Sequence, residues 1–234
     1  MLRAIFLLIS FLLVWNLHRV NGQEPGLTLA TTQSGLKYEV YLPKTWTGAE
    51  SLPLLVYFED ASDTASFLVD GKRRSLMEIV HESEKEFITI RPIFTSDHPF
   101  SPEHVFSILK EISPLYRWNS KQTYLVGIFE GNKMLINTLL KNKEPFAAAA
   151  MISPRKLEAD FSYLQGYPLL FVHGEMDEYL SLGQAWKLKD VLLAANIDLV
   201  YSVVPYGMED IYLKVLSSKP IYNWLLSYPK EEGQ

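Results

Sequence analysis

The chain is 234 residues long and 48% hydrophobic, with a formal charge of −5 and no cysteine. The missing cysteine excludes a disulfide framework, a thiolate nucleophile and a cysteine-bound metal. The longest basic run, Lys72-Arg73-Arg74, is too short to track a phosphate backbone, so nucleic acid is not an expected partner.

Met1-Leu2-Arg3 opens with a basic residue, Ala4 to Leu17 is almost continuously apolar, and Val20-Asn21-Gly22 offers small or apolar residues for cleavage. This is the pattern of a signal peptide over residues 1–22. An apolar run of 14 residues is shorter than the ~18 to 20 that a membrane-spanning helix needs. A secreted or periplasmic protein is therefore expected in preference to an N-terminal membrane anchor, with no stable membrane span once the leader is cleaved. Loss of Arg3 and Arg19 takes the formal charge to −7, and no Asn-x-Ser/Thr triplet is present for N-glycosylation.

Residues 23–230 carry no repeat, low-complexity tract or long linker, and the length of 23–234 suits a single domain with one sizeable core. Short apolar runs alternate with helical stripes, the signature of a mostly parallel sheet covered on both faces. Leu36 to Leu42 alternates like an antiparallel strand, Pro53 to Phe58 is a buried strand, Leu76 to Ser83 a short helix, and Phe87 to Ile90 another strand. Ser101-Pro102-Glu103 starts a helix with a capping hydroxyl, a proline in the first turn and an acid at the positive dipole end. Then come a strand at Thr123–Val126, a helix at Met134–Leu140, a strand at Ala147–Ile152 and a strand at Leu169–Val172 that ends at His173. A helix over Leu182–Ala195, a strand over Ile197–Val204 and one amphipathic helix through Trp224 complete the chain. The expected fold class is α/β, a doubly wound, mostly parallel eight-stranded sheet with its ligand site beyond the carboxyl ends of the strands.

Five stretches in this order are similar to the α/β-hydrolase fold, and more narrowly to its compact secreted esterases, depolymerases and predicted peptidases. LPLLVYFED resembles the strand before an oxyanion loop, NSKQTYLVGIFEGN the strand and nucleophile elbow, and PFAAAAMISP the strand that follows. YPLLFVHGEMDEYLS resembles the strand that delivers a triad acid, and DLVYSVVPYGMED the segment that presents a histidine. The resemblance spans nearly all of residues 30–227. It implies a Gly-x-Ser-x-Gly elbow, and Gly127 and Gly131 fit that frame, but Phe129 stands where the serine belongs. It implies a triad acid at Asp177 and a histidine after it. No histidine follows His173, and Glu209 holds that position. His173 itself reads as a structural histidine. The oxyanion region carries Glu59-Asp60, two carboxylates that would oppose a developing negative charge.

The resemblance therefore implies a non-catalytic scaffold acting as a binding or interaction protein for an unknown small-molecule or protein ligand. The alternative is an ester or peptide hydrolase with an unconventional apparatus built on Glu130, Asp177 or Glu209. With no nucleophile to expose, the Phe129 ring is expected to pack into the vacated space or onto a neighbouring loop. His81, His98 and His104 lack metal-ligand spacing, and no phosphate loop or dinucleotide fingerprint is present, so no metal and no cofactor are expected. Acids at 59–60, 130, 177–178 and 209–210 all follow strand ends. Seven separately solvated carboxylates are the simpler reading of that rim, and a hard cation or an amine-bearing ligand is the alternative.

Overall fold

The structure, a computed structural model, describes residues 24–59, 67–69, 72–74, 77, 86–208 and 210–230. The leader, Asp60, His81 and Glu209 lie outside the described residues, as does the helix expected over 76–83 apart from Met77.

The apolar runs become strands because each is buried on both sides. β3 (Leu52–Phe58) shows why: Leu54 to Phe58 are all buried, and successive side chains enter two different cores. Leu54, Val56 and Phe58 face the larger core, while Leu55 and Tyr57 face the smaller. The sheet also contains β1 (Gly26–Thr31), β2 (Lys37–Leu42), β6 (Ile88–Ile93), β7 (Trp118–Ile128), β8 (Ala148–Ile152), β9 (Pro168–Gly174) and β10 (Asp198–Val204). Its order is β1-β2-β6-β3-β7-β8-β9-β10, the eight-stranded sheet expected. The pairs β1–β2 and β2–β6 are antiparallel, and the rest are parallel. A separate hairpin joins β4 (Phe67–Val69) to β5 (Lys72–Arg74).

Helices α1 (Pro102–Ile112), α2 (Gly131–Lys141) and α3 (Leu182–Ala194) bury Val105, Leu135 and Leu188, among others, in the larger core. Ser101 caps α1 by accepting the Glu103 N–H at 3.2 Å. On the other face, α4 (Ile211–Leu216) and α5 (Lys219–Leu226) cover the smaller core with Tyr212, Leu216, Ile221 and Tyr222. The single C-terminal helix expected from the sequence is thus two. Its stripe is interrupted at Ser217-Ser218, and Pro220 sits in the first turn of α5, where a proline favours a new start over a continuous helix. β7 begins five residues before the expected Thr123, because the exposed stretch Ser120-Lys121 breaks the apolar run without breaking the strand. Among the described residues no helix is long and apolar enough to cross a membrane.

Candidate functional site at the strand ends

The chain reverses direction across the sheet at β3, with β6 on one side and β7 on the other, so the carboxyl ends of β3 and β7 form the switch-point crevice of a doubly wound sheet. Phe58 pairs with Gly127, which brings Glu59 beside the turn from β7 into α2. That turn is very tight. A Cβ on Gly131 would lie 2.2 Å from the Phe58 carbonyl oxygen, and one on Gly127 would lie 2.9 Å from the Asn132 Cα. Both positions need glycine because backbone passes where a side chain would begin.

Between them Phe129 is held at φ +49°, a left-handed conformation that costs a non-glycine residue ~1–2 kcal/mol. Asn132, fully buried, stitches the apex in place: its side-chain amide donates to the carbonyls of Phe129 (3.0 Å) and Ile152 (2.9 Å). The sequence reading did not single out Asn132. The Phe129 ring is half-buried and meets Tyr212 edge-on at 5.1 Å between centroids, so it packs onto helix α4 rather than onto the loop expected. Glu130 is exposed.

Arg155 also enters this place without warning from the sequence. It follows β8 in Ser153-Pro154-Arg155, and its guanidinium carbon lies 4.7 Å from the Phe129 ring centroid and 3.5 Å from that of Tyr179. A cation between two aromatic faces is held by their quadrupoles. Its Nη1 is buried with no hydrogen-bond partner.

Asp177 lies in the turn after β9. It is buried, and its Oδ1 accepts the N–H groups of Tyr179 and Leu180, both at 2.9 Å. Its Oδ2 has no hydrogen-bond partner and sits 3.9 Å from His173 Nδ1, which has none either. His173 is fully buried, and its Nε2 donates to the Leu180 carbonyl at 2.8 Å. Burial pushes its pKa below the ordinary histidine value, against the opposing Asp177 charge and the Leu180 hydrogen bond. The ring is therefore neutral near pH 7, with its only N–H committed to the backbone. Ser153 is the serine next to this group, since Ile152 pairs with Val172 and the Ser153 N–H donates to the Val172 carbonyl at 3.0 Å. Its φ is +41°, and its hydroxyl is fully buried and unpartnered. Ser153 Oγ makes no hydrogen bond to either ring nitrogen of His173, and no substrate reaches a hydroxyl without exposure.

The loop 205–208, where the resemblance puts a histidine, is fastened to the turn after β9. Met176 N–H donates to Gly207 O at 2.8 Å, Tyr206 N–H to Glu175 Oε2 at 2.9 Å, and a Cβ on Gly174 would lie 2.4 Å from Met208 O. Met176, Tyr179, Tyr206 and Met208 are left 51%, 63%, 84% and 46% exposed.

Of the seven rim acids, the five among the described residues do not act together. Glu59 accepts from Arg91 Nη1, and Arg91 Nε donates to Glu39 Oε2 at 2.9 Å. Burial lowers the Arg91 pKa, but the Glu39 hydrogen bond and the Glu59 charge more than offset it and leave the guanidinium above its ordinary value. The charge of Glu59 is thereby compensated. The cause is Arg91, which β2–β6 register sets opposite Glu39 and which reaches the end of β3. Asp177 uses one oxygen on backbone N–H groups, while Glu130, Glu178 and Asp210 are exposed. Among the described residues no group of three acids or histidines could hold a metal ion. A groove of about 500 Å³ lined by Leu157, Phe161, Leu180 and Leu188 lies along α3 and away from the elbow.

By sequence, no family model and no characterised protein matches the chain. By structure it is similar to a thermostable esterase, at 15% identity and TM-score 0.66 over 87% of this chain and 63% of that one. It is also similar to dipeptidyl peptidase 4 of Porphyromonas gingivalis, at 15% and 0.60 over 86% and 35%. A third likeness is to an S-formylglutathione hydrolase from Agrobacterium tumefaciens, at 13% and 0.64 over 87% and 95%. The chain thus spans about a third of the peptidase and under two thirds of the esterase. These likenesses establish the fold, which is that of the α/β-hydrolases.

Proposed function

We propose that this α/β-hydrolase-fold chain is an exported protein that binds a small-molecule or protein ligand at the strand-end rim and does not cleave it. The observation that carries this reading is the elbow apex. Phe129 occupies it with the backbone still left-handed, its ring against Tyr212 and beneath Arg155. A phenyl ring can neither attack a carbonyl nor hold an acyl group, and the neighbouring hydroxyl, Ser153, is fully buried and makes no hydrogen bond to a base. The leader-like residues 1–22 support export. The competing reading, a hydrolase with an unconventional apparatus, draws on the unpartnered Oδ2 of Asp177.

One experiment separates the two readings. The purified protein is treated with a fluorophosphonate serine-hydrolase probe and, in parallel, assayed against short-chain aryl esters. No covalent adduct and no turnover above the uncatalysed rate are expected. An adduct on any serine, or ester turnover abolished by Asp177→Asn, would overturn the proposal.

A further inference from the structure

Helix α3, LGQAWKLKDVLLA, is apolar on more than the side it buries. Ala185, Leu188 and Leu192 face the larger core, at the spacings of three and four that one helical stripe requires. Trp186 and Leu193, 51% and 48% exposed, share a different side, because seven residues bring the chain round two turns. Lys189 lies between them on that side, three residues after one and four before the other. Its Nζ sits 5.9 Å from the Tyr201 ring centroid, which places the Trp186–Leu193 side of α3 along β10. Among the described residues β10 is the last strand of the sheet and pairs with β9 alone, so its outer edge has no strand partner. Its sequence, DLVYSVV, has no lysine, proline or glycine to guard that edge, and Asp198 is its one charge. An unpaired strand edge and an exposed apolar stripe thus run side by side.

From this arrangement we propose that the face formed by β10 and α3 binds a second copy of the chain about a two-fold axis, joining the two eight-stranded sheets edge to edge. The occupant is a second copy because the face is complementary to itself. An axis through Tyr201 and normal to the sheet sets the two strands antiparallel, with Val200 opposite Ser202 of the second copy and Leu199 opposite its Val203. Asp198 then meets an apolar Val204, so no like charges oppose each other along the strands. Because Lys189 lies over Tyr201, the same axis passes close to it. Two antiparallel copies of α3 centred there set Trp186 against Leu193, and Lys189 against Asp190, of the opposite copy. Lys189 and Asp190 already lie 3.2 Å apart within one chain, and the axis joins two such pairs with unlike charges facing. The rims of the two copies point to opposite ends of the joined sheet, so the inference is independent of what the rim binds.

The test is sedimentation velocity of the purified protein from about 1 to 100 µM, over which a shift from monomer to dimer is expected. Trp186→Arg should weaken association at least about thirtyfold, as loss of a tryptophan anchor does. Leu29→Arg, at an exposed position on the opposite edge strand β1, should leave it unchanged. Lys189→Asp alone sets acid against acid across the axis and should weaken the dimer about three- to tenfold, and adding Asp190→Lys should restore it. Circular dichroism checks the fold of each variant, and the charge swap reads the geometry without removing the apolar stripe. A protein that stays monomeric at about 100 µM, a dimer indifferent to Trp186→Arg, one broken by Leu29→Arg, or a charge swap that recovers no association would each overturn the inference.

Discussion

The backbone at residue 129 allows a measurement that separates the strain of the elbow from the packing of its apex. Replacing Phe129 with alanine removes the ring but keeps a Cβ at φ +49°. Replacing it with glycine removes both. The ring has an edge contact with Tyr212 and a face under Arg155, contributions of ~0.5–1.5 and ~0.5–1 kcal/mol. With ~1 kcal/mol for the half-buried apolar surface, Phe129→Ala should cost ~2–3.5 kcal/mol. Glycine relieves ~1–2 kcal/mol of left-handed strain and gives back part of that through its freer unfolded chain. Phe129→Gly should therefore be the more stable of the two by ~1 kcal/mol, the reverse of their order inside a helix. In urea, with a slope of ~2–3 kcal/mol/M for a domain of this size, that is a midpoint difference of ~0.3–0.5 M. An alanine variant as stable as the glycine one would mean that residue 129 carries no left-handed strain in solution, and the account of the elbow would fail.

Gly131→Ala should cost more than ~3 kcal/mol or prevent soluble expression, because its Cβ would meet the Phe58 carbonyl oxygen at 2.2 Å and both sides are backbone. Gly183→Ala, in α3 with open space around it, should instead stabilise by ~0.5–1 kcal/mol, and urea midpoints of the two variants check the contrast. Arg91→Met removes the guanidinium that pairs with Glu39 and Glu59, whose side chains are 19% and 13% exposed, and should cost ~3 kcal/mol. Most of that loss should return in the Glu39→Gln/Glu59→Gln background, and a melt showing no recovery would refute the pairing. His173 has a pKa below its unfolded value of ~6.5, so between the two values the unfolded chain binds the extra proton. Its contribution to stability is present above pH ~6.5 and is lost as pH falls through the folded value. The melting temperature should drop between pH 7 and 5, and His173→Gln, which keeps a donor for the Leu180 carbonyl, should flatten that slope.

The parts of this molecule that were legible in its sequence are those governed by period and by glycine. The run Leu54 to Phe58 announces a strand buried on both faces, and Gly127 and Gly131 announce a turn where backbones nearly touch. β1 was not singled out, because Leu27 and Leu29 are 40% and 64% exposed on an edge strand and leave no apolar run to detect. Arg155 and Asn132 were missed for another reason. Each is a lone polar residue after an apolar stretch, and what makes it matter is a contact set by tertiary packing: two rings for Arg155, and the carbonyls of Phe129 and Ile152 for Asn132. The partnership of Glu59 with Arg91 spans 32 residues and depends on two strand registers, neither of which the residues themselves declare. The acids could be counted from the sequence, but their partners could not.

The contacts that hold residue 129 left-handed come from Gly127, Gly131 and Asn132, and not from the side chain at the apex. The direction of its Cα–Cβ bond is accordingly a property of the frame. Whatever residue is placed there is launched from the same point on the rim along the same vector, with a rigid sheet behind it. That makes position 129 a mounting point: a metal-chelating or photo-crosslinking amino acid installed in place of Phe129 would face Tyr212 and Arg155 from a known direction. A crosslinker fixed in this way would report directly on what approaches the rim.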